Sequence, residues 1–411
     1  MSTLKTLVKI PAFRLLLTAR LISNFGNGLG PIALAFGVLT LDGATASSLS
    51  IVMAAQMLPL AFLMPLGGVL GDRFPRALLV GSSDILLSAL VIGNGISLIS
   101  GHASVMSMAV IAFLSGVLNA IWWPAFSGMV PEIVPEEHLQ SANSSVAFVS
   151  NVTMIIGTVT GGIIVAAFGP GWAIIIDGLT FTTAGILVFG LRHFGTTRVN
   201  DEHSPGVFDD LIHGWKEFIT RPWVVAVVAG YTIIAMVMES VFSVVGPFHA
   251  KTVLGGPKPW SLILAAMSAG MLMGVVVTMK KTFRYPLRVG VSSQFAFTLW
   301  CLVMGVTTSV PLIMLAAFFA GMSLDFFMIL WQTTMQSQIP RESLSRVTSY
   351  DAFGSLALAP LGLLFAGPLT ARLGSTTTLL VLAGVASVAL AAVLSVSSVR
   401  NLETLREGAE S

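Results

Sequence analysis

From Leu15 to Leu394 the chain repeats one pattern, an apolar run of about 20 residues followed by a short polar or Gly/Pro-rich break. The breaks mark twelve spans, near 12–41, 48–70, 77–99, 104–127, 145–168, 172–191, 223–249, 260–280, 287–308, 312–335, 350–371 and 376–397. Runs of that length match the ~30 Å hydrocarbon core of a bilayer. Lipid offers the backbone no hydrogen-bond partners, so such runs must be helices; barrel strands would instead alternate polar and apolar residues over ~10 positions. No such alternation occurs, and the pattern predicts an all-α membrane protein. The first run, Phe13 to Leu41, is too long for a signal peptide and has no small-residue cleavage site, so it counts as helix 1.

Composition agrees. Hydrophobic residues make up 55% of the 411 and charged residues 10%, and mean hydropathy is +0.89, where soluble domains carry about 25% charge. Of the 21 basic residues, 17 fall in alternate breaks that share one side with the N-terminus. Lys251, Lys258 and Arg372 fall on the other side, and Arg20 lies within the first span. The positive-inside rule then places both termini in the cytoplasm and the chain in the cell membrane as a multi-pass protein. The net charge of +2 follows topology and forms no basic stripe, so no nucleic-acid partner is expected. The single Cys301 excludes an intramolecular disulfide. The six histidines lie in or near breaks without metal-ligand spacing, and no Walker-type glycine loop is present. These absences predict neither an enzyme nor an ATP-driven pump, with no metal and no cofactor.

The longest polar stretch, Arg192 to Arg221, sits at mid-chain. Within it Leu211, Ile212, Trp215, Phe218 and Ile219 recur at helical spacing among Asp209, Asp210, Lys216 and Glu217, which describes a short amphipathic helix on the membrane surface. An internal repeat supports two halves. A shift of 205 residues places Pro135-Glu136-Glu137-His138-Leu139 on Pro340-Arg341-Glu342-Ser343-Leu344, and Gly157, Gly162 and Gly169 on Gly362, Gly367 and Gly374. A shift of 211 puts Arg73-Phe74-Pro75 on Arg284-Tyr285-Pro286. The expected organisation is an N-terminal six-helix bundle over 1–191, a linker over 192–222, a C-terminal six-helix bundle over 223–400 and a cytoplasmic tail over 401–411. Parallel six-helix halves are an architecture of secondary transporters, with the substrate site where the halves meet.

The break after the second span reads Gly68-Val69-Leu70-Gly71-Asp72-Arg73-Phe74-Pro75-Arg76. This closely resembles the major facilitator signature G-x-L-a-D-R-x-G-R, with Pro75 where the family usually has Gly and Ala77 where a second basic residue is common. The fifth span holds Gly157-Thr158-Val159-Thr160-Gly161-Gly162, similar to the antiporter motif G-P-x-x-G-G with Thr158 in place of Pro. The stretch Phe13 to Asn27, with Pro135-Glu136-Glu137 and Pro360-Leu361-Gly362, resembles the drug:proton antiporter branch that includes macrolide and enterobactin exporters. The resemblance spans the chain. It implies two pseudo-symmetric six-helix bundles and a central cavity lined by helices 1, 4, 7 and 10. Gly68, Asp72, Arg73 and Arg76 are then candidates for a cytoplasmic gate that pairs in one conformation and separates in the other. Read from the residues alone, Arg73 and Arg76 also suffice to enforce orientation. Gly157, Gly161 and Gly162 are likewise small residues that let helices approach closely.

A charge at a helix centre costs ~2.5–3.5 kcal/mol on insertion scales, so intramembrane charges are candidates for function. Arg20, Asp84, Asp177, Glu239 and Asp325 are such charges. Glu239 and Asp325, closest to mid-span, are the candidates for proton or cation coupling, alternately protonated and ionised. The other reading of both is a static interhelical hydrogen bond or an ion pair with Arg20. Asp84 and Asp177 lie nearer span ends, where they would reach headgroups or neighbouring helix ends. Arg20, Asn24 and Asn27 share one face of span 1; with Asn119, Trp123 and Gln332 they are the candidates for a cavity that binds substrate. Trp122, Trp123 and Trp331 also read as packing or interfacial anchors.

These readings converge on a monomeric secondary transporter that exports a small amphipathic compound, such as a drug, antibiotic or siderophore, against protons. Its partners are the small-molecule substrate, protons and the lipid bilayer. A metabolite importer or facilitator fits the same helices, and a non-transporting sensor would require a polar domain that the chain lacks.

Overall fold

The computed structural model describes residues 7, 9–135, 138–193, 215–280, 283–340, 343–344, 347–348, 350–351, 354 and 358–404. Among them, eleven helices are long and apolar enough to cross a membrane. The last, Ala359–Ser395, is two helices joined at Gly374, where φ is +78° and ψ is 159°. Its 37 residues would otherwise run well past a ~30 Å core at 1.5 Å per residue. The spanning helices are α1 (Pro11–Leu39), α2 (Ala46–Arg73), α3 (Arg76–Ile99), α4 (Val105–Ser127), α5 (Leu139–Phe168) and α6 (Pro170–Phe189). They continue as α7 (Pro222–Leu254), α8 (Pro257–Lys280), α9 (Pro286–Val306) and α10 (Val310–Gln338), then α11 (359–373) and α12 (375–395).

The ends follow local chemistry. Pro occupies the first turn of α1, α6, α7, α9 and α10, where its missing N–H breaks no intrahelical bond. Thr45 and Ser104 cap α2 and α4 with reciprocal bonds to Ser48 and Ser107. Where hydropathy starts the fifth span at 145, the helix begins at Leu139, because Ser141, Asn143 and Ser144 are helical without being apolar. A short helix, Met129–Ile133, follows α4 and was not visible in the apolar pattern. Of the proposed linker helix, Trp215–Ile219 is helical, with Phe218 buried and Trp215 stacked on it at 5.7 Å; 194–214 lie outside the described residues. So do 405–411 of the tail.

The chain forms two compact units, Met1–Val199 with Ala250–Leu262, and Asn200–His249 with Ile263–Ser411. In the first, α2 packs along α4, α3 along α6, and α1 against both α5 and α6. In the second, α7 packs against α11 and α12. The internal repeat appears here atom by atom. Gly157 abuts the Phe25 carbonyl, and its repeat mate Gly362 abuts that of Met236, 211 residues after Phe25. Gly116 abuts the Gln56 carbonyl, as Gly321 does that of Met267, again at the 205 and 211 shifts. Gly169 and Gly374 both turn the chain at positive φ, 87° and 78°, a conformation that glycine adopts at little steric cost. Small residues at these crossings let helix backbones touch, which is how helices associate where the solvent is as apolar as leucine. Outward-facing Phe62, Met106, Phe168 and Val388 are 70% or more exposed, an arrangement suited to hydrocarbon.

Candidate functional site

In the first unit a polar cluster forms around Arg20, which is 8% exposed. Its guanidinium lies over the rings of Phe126 and Trp122, 4.3 and 5.0 Å from their centroids, and those rings stack on each other at 4.8 Å. Nη2 donates to Asn24 Oδ1 at 3.3 Å, while Nε and Nη1 have no hydrogen-bond partner. Asp84 of α3 stands within the electrostatic field of Arg20 and beside the Trp122 indole. At 2% exposure it is interior to the unit and does not reach headgroups, which corrects that part of the expectation from its place in the sequence. The periodicity of α3 alone could not reveal that Asp84 faces α1 and α4. Asp177, 7% exposed, is equally interior: its carboxyl packs against Gly26 and Gly30 of α1, and Oδ1 accepts no hydrogen bond. The acid facing Arg20 is thus Asp84.

Asn24 Nδ2 donates to Ser150 Oγ at 2.8 Å and to the Arg20 carbonyl at 2.9 Å, fastening α1 to α5. Among the described residues Asn27 reaches only Asn24, at 3.4 Å. Asn119 donates to the Ser115 carbonyl of its own helix at 2.8 Å. Trp123 is 49% exposed, edge-on to Trp122 at 5.6 Å.

Of the signature residues, Arg76 Nη1 donates to the Gly128 carbonyl at 2.6 Å and lies 3.4 Å from Glu132, which pins the start of α3 to the end of α4 and the short helix after it. Arg73 is exposed. The side-chain surroundings of Gly68 and Asp72 lie outside the described residues. In the antiporter-like motif, Gly157 and Gly161 meet the α1 backbone at Phe25 and Leu29. Thr158, standing where the motif has proline, donates its hydroxyl to the Gly28 carbonyl of α1 at 3.2 Å and to Met154 O at 2.9 Å. Gly162 receives Ser261, and Lys251 Nζ donates to the Leu39 carbonyl at the end of α1.

In the second unit Glu239 is half-buried and accepts from Ser243 at 3.3 Å. It stands one residue before the end of the α-helical stretch Pro222–Ser240 of α7, which continues through π-helical turns at Val241–Val245 and Ala250–Leu254 on either side of Gly246–His249. Such turns are frequent at functional sites. Asp325, also half-buried, forms no hydrogen bond or ion pair among the described residues, and Gln332 is exposed on the same helix. Both Asp325 and Asp351 act electrostatically on the Tyr231 phenol. Asp351 escaped the survey of intramembrane charges because it stands at the start of its span. Its Oδ2 accepts from Trp331 Nε1 at 3.0 Å, so Trp331 is held by a carboxylate and by stacking on Phe327.

Membrane-length helices in a duplicated six-helix pattern, with polar side chains inside each unit, define a polytopic protein of the transporter class. The chain belongs to the Major Facilitator Superfamily, whose family model matches residues 16–357. It is similar to the multidrug efflux pump Tap of Mycobacterium tuberculosis, 27% identical over 389 residues, 91% of this chain and 90% of the relative. It is also similar to the uncharacterized MFS-type transporter YfiS of Bacillus subtilis, 24% identical over 89% of this chain and 88% of the relative. The fold matches the crystal structure of the nucleoside transporter NupG with a TM-score of 0.71 at 11% identity, covering 94% and 98% of the two chains. A bacterial homologue of the iron transporter ferroportin, in an inward-facing state, matches at 0.73 and 15% identity, covering 93% and 98%.

Proposed function

We propose that this transporter exports a small amphipathic compound, such as a drug, antibiotic or siderophore, in exchange for protons. The observation that carries the reading is the pair Glu239 and Asp325. Both are half-buried carboxylates on spanning helices, and neither has a cation within ion-pair distance among the described residues. An acid in that setting exchanges a proton or binds a cation more readily than it serves as a static strut. The similarity to a multidrug efflux pump supports the exporter over the importer. In this reading both termini are cytoplasmic, the protein works as a monomer in the cell membrane, and Asp72, Arg73 and Arg76 close the cytoplasmic side in one state.

The test is a substrate panel on inside-out vesicles with an imposed pH gradient. Glu239→Gln and Asp325→Asn should abolish gradient-driven uptake while the purified proteins remain monodisperse. Uptake that ignores the gradient in the parent protein would replace the exporter with a facilitator. Unchanged proton release on substrate addition in both variants would remove these residues from the coupling.

A further inference from the structure

We propose that Asp177 is a proton-binding site of the first unit, separate from Glu239 and Asp325, and that the proton it takes up and releases sets how α1 meets α6.

Asp177 is the sole charged residue of α6, and it is turned inward, 7% exposed. Its carboxyl meets Gly26 and Gly30, one turn apart near the middle of the 29-residue α1. A Cβ on Gly30 would fall 2.5 Å from Asp177 Oδ2, and a Cβ on Gly26 would fall 2.5 Å from Oδ1. The three atoms nearest to the Gly30 position all belong to this carboxyl, whereas Gly157 abuts a backbone. Gly26 and Gly30 therefore form a cradle that the acid fills.

No cation balances it. The helices packed on α6 are α1, α3 and α5. Helix α5 carries no charged residue, and those of α1 and α3 are Arg14, Arg20, Arg76 and Asp84. Arg20 lies six residues before Gly26, about 9 Å along the axis, and faces Asp84 and the Trp122 and Phe126 rings. Arg76 is taken by the Gly128 carbonyl and Glu132, and Arg14 is exposed six residues before Arg20. Asp84 packs beside Gly185, about 12 Å along α6 from Asp177. An ionised carboxylate buried without a partner is the costly form, and the carboxyl that keeps its proton is the cheaper one.

The hydrogen-bond accounting agrees. Asp177 Oδ1 has no partner, and neither has Oδ1 of Asn94, which is 4% exposed. Gly95 packs on Ile175 and Gly178 on Ile92, so Asn94 and Asp177 lie at one depth. A proton on Asp177 brings a donor to a level where two buried acceptors are unmet. The seam is also polar along its length. Ser88 and Thr182 hydrogen-bond across α3 and α6 between the levels of Asp84 and Asp177, and Thr180 Oγ1 stands at the Gly26 side of the cradle. Hydroxyls both donate and accept, so they pass a proton along such a seam by rotating. With the proton on, the neutral acid fills the cradle and the seam closes. Once it leaves, a bare charge faces the α1 backbone, and parting the helices to admit water relieves it. That this exchange drives export rests on the exporter reading; that Asp177 binds a proton does not.

The experiment is infrared difference spectroscopy on the full-length protein in lipid vesicles, titrated with alkali, with Asp177→Asn as the reference. At neutral pH the parent should show the carbonyl stretch of a protonated carboxyl that Asp177→Asn lacks, and the band should shrink as pH rises. Gly30→Ala keeps the acid but displaces it, and should change the pH at which the band titrates. Absence of the band at neutral pH, or a band that no pH removes, overturns the site. Loss of the band on adding sodium at fixed pH makes it a cation site and also overturns it. An unchanged titration in Gly30→Ala overturns the cradle. In vesicles Asp177→Asn should lose gradient-driven uptake, and full uptake in that variant would overturn a part for this proton in the helix movement. A titrating band in a parent protein whose uptake ignores the pH gradient would leave the proton site standing and overturn the exporter reading instead.

Discussion

Gly157→Ala isolates what the glycine of the antiporter-like motif does. A Cβ at Gly157 would overlap the carbonyl and Cα of Phe25, backbone atoms of α1 that cannot swing aside as a side-chain tip could. Forcing one methyl into a packed contact costs about 1–3 kcal/mol. The same exchange inside an open helix gains up to about 1 kcal/mol, since alanine is the better helix former. Gly93 in α3 and Gly384 in α12 supply that control, for no atom lies within 4 Å of the position a Cβ would take. Gly362→Ala, whose Cβ would meet Met236, repeats the perturbation in the other unit. Gly157→Ala and Gly362→Ala should therefore lie about 1–4 kcal/mol below Gly93→Ala and Gly384→Ala. For units of this size that separation is roughly 2–16 °C in melting temperature. Thermal melts of the four purified variants in one detergent measure it. If Gly157→Ala melts with Gly93→Ala, the α1–α5 contact is not what the glycine serves, and the packing account of the motif falls.

Asp84→Asn leaves Arg20 buried without its opposing charge and should destabilise by about 3 kcal/mol, the lower end for breaking a buried pair, since the two charges share a field without a direct ion pair. Arg20→Met with Asp84→Asn should recover most of that loss, and a double variant that melts lower than either single one would show that the two do not interact. Arg76→Ala removes a charge-assisted bond to the Gly128 carbonyl and should cost about 1.5–3 kcal/mol, with Arg76→Lys intermediate; a melt unchanged from the parent would deny Arg76 a structural role. Asp72→Asn should slow turnover more than it weakens substrate binding, and an equal loss in both would count against a gate.

The twelve spans were legible because a membrane demands about 20 apolar residues from each helix, and their ends moved only where polar residues such as Ser141 and Asn143 stay helical. The repeat was legible for a different reason. Gly157, Gly169, Gly362 and Gly374 are held by backbone contact or positive φ, constraints that no larger residue meets. What the sequence could not show is which face of a helix meets which neighbour. Asp84 looked like a residue near a span end and proved to be the acid facing Arg20, because α3 turns it toward α1 and α4. A cavity beside Thr404 was invisible because its lining comes from 278–286, 329–338 and Thr404, segments more than 40 residues apart.

The two units repeat one fold but not one distribution of charge. In the first, the interior cation Arg20 stands opposite Asp84 and is wrapped by Trp122 and Phe126, while Asp177 is buried with no ion pair among the described residues. In the second, Glu239 and Asp325 carry no such counter-charge among the described residues. The glycine contacts of the two units match at Gly157 and Gly362 and at Gly116 and Gly321, whereas Gly28, packed on Met154 of α5, has Glu239 as the residue 211 positions further on. A charge left unbalanced inside a membrane is destabilising unless something arrives to balance it. In the exporter reading proposed above, the exchangeable charge lies on α7 and α10. If so, introducing a lysine one turn from Asp325, as in Ile329→Lys, should stabilise the purified protein while stopping gradient-driven transport. A stabilised variant that still couples to the gradient would move the exchangeable charge away from Asp325.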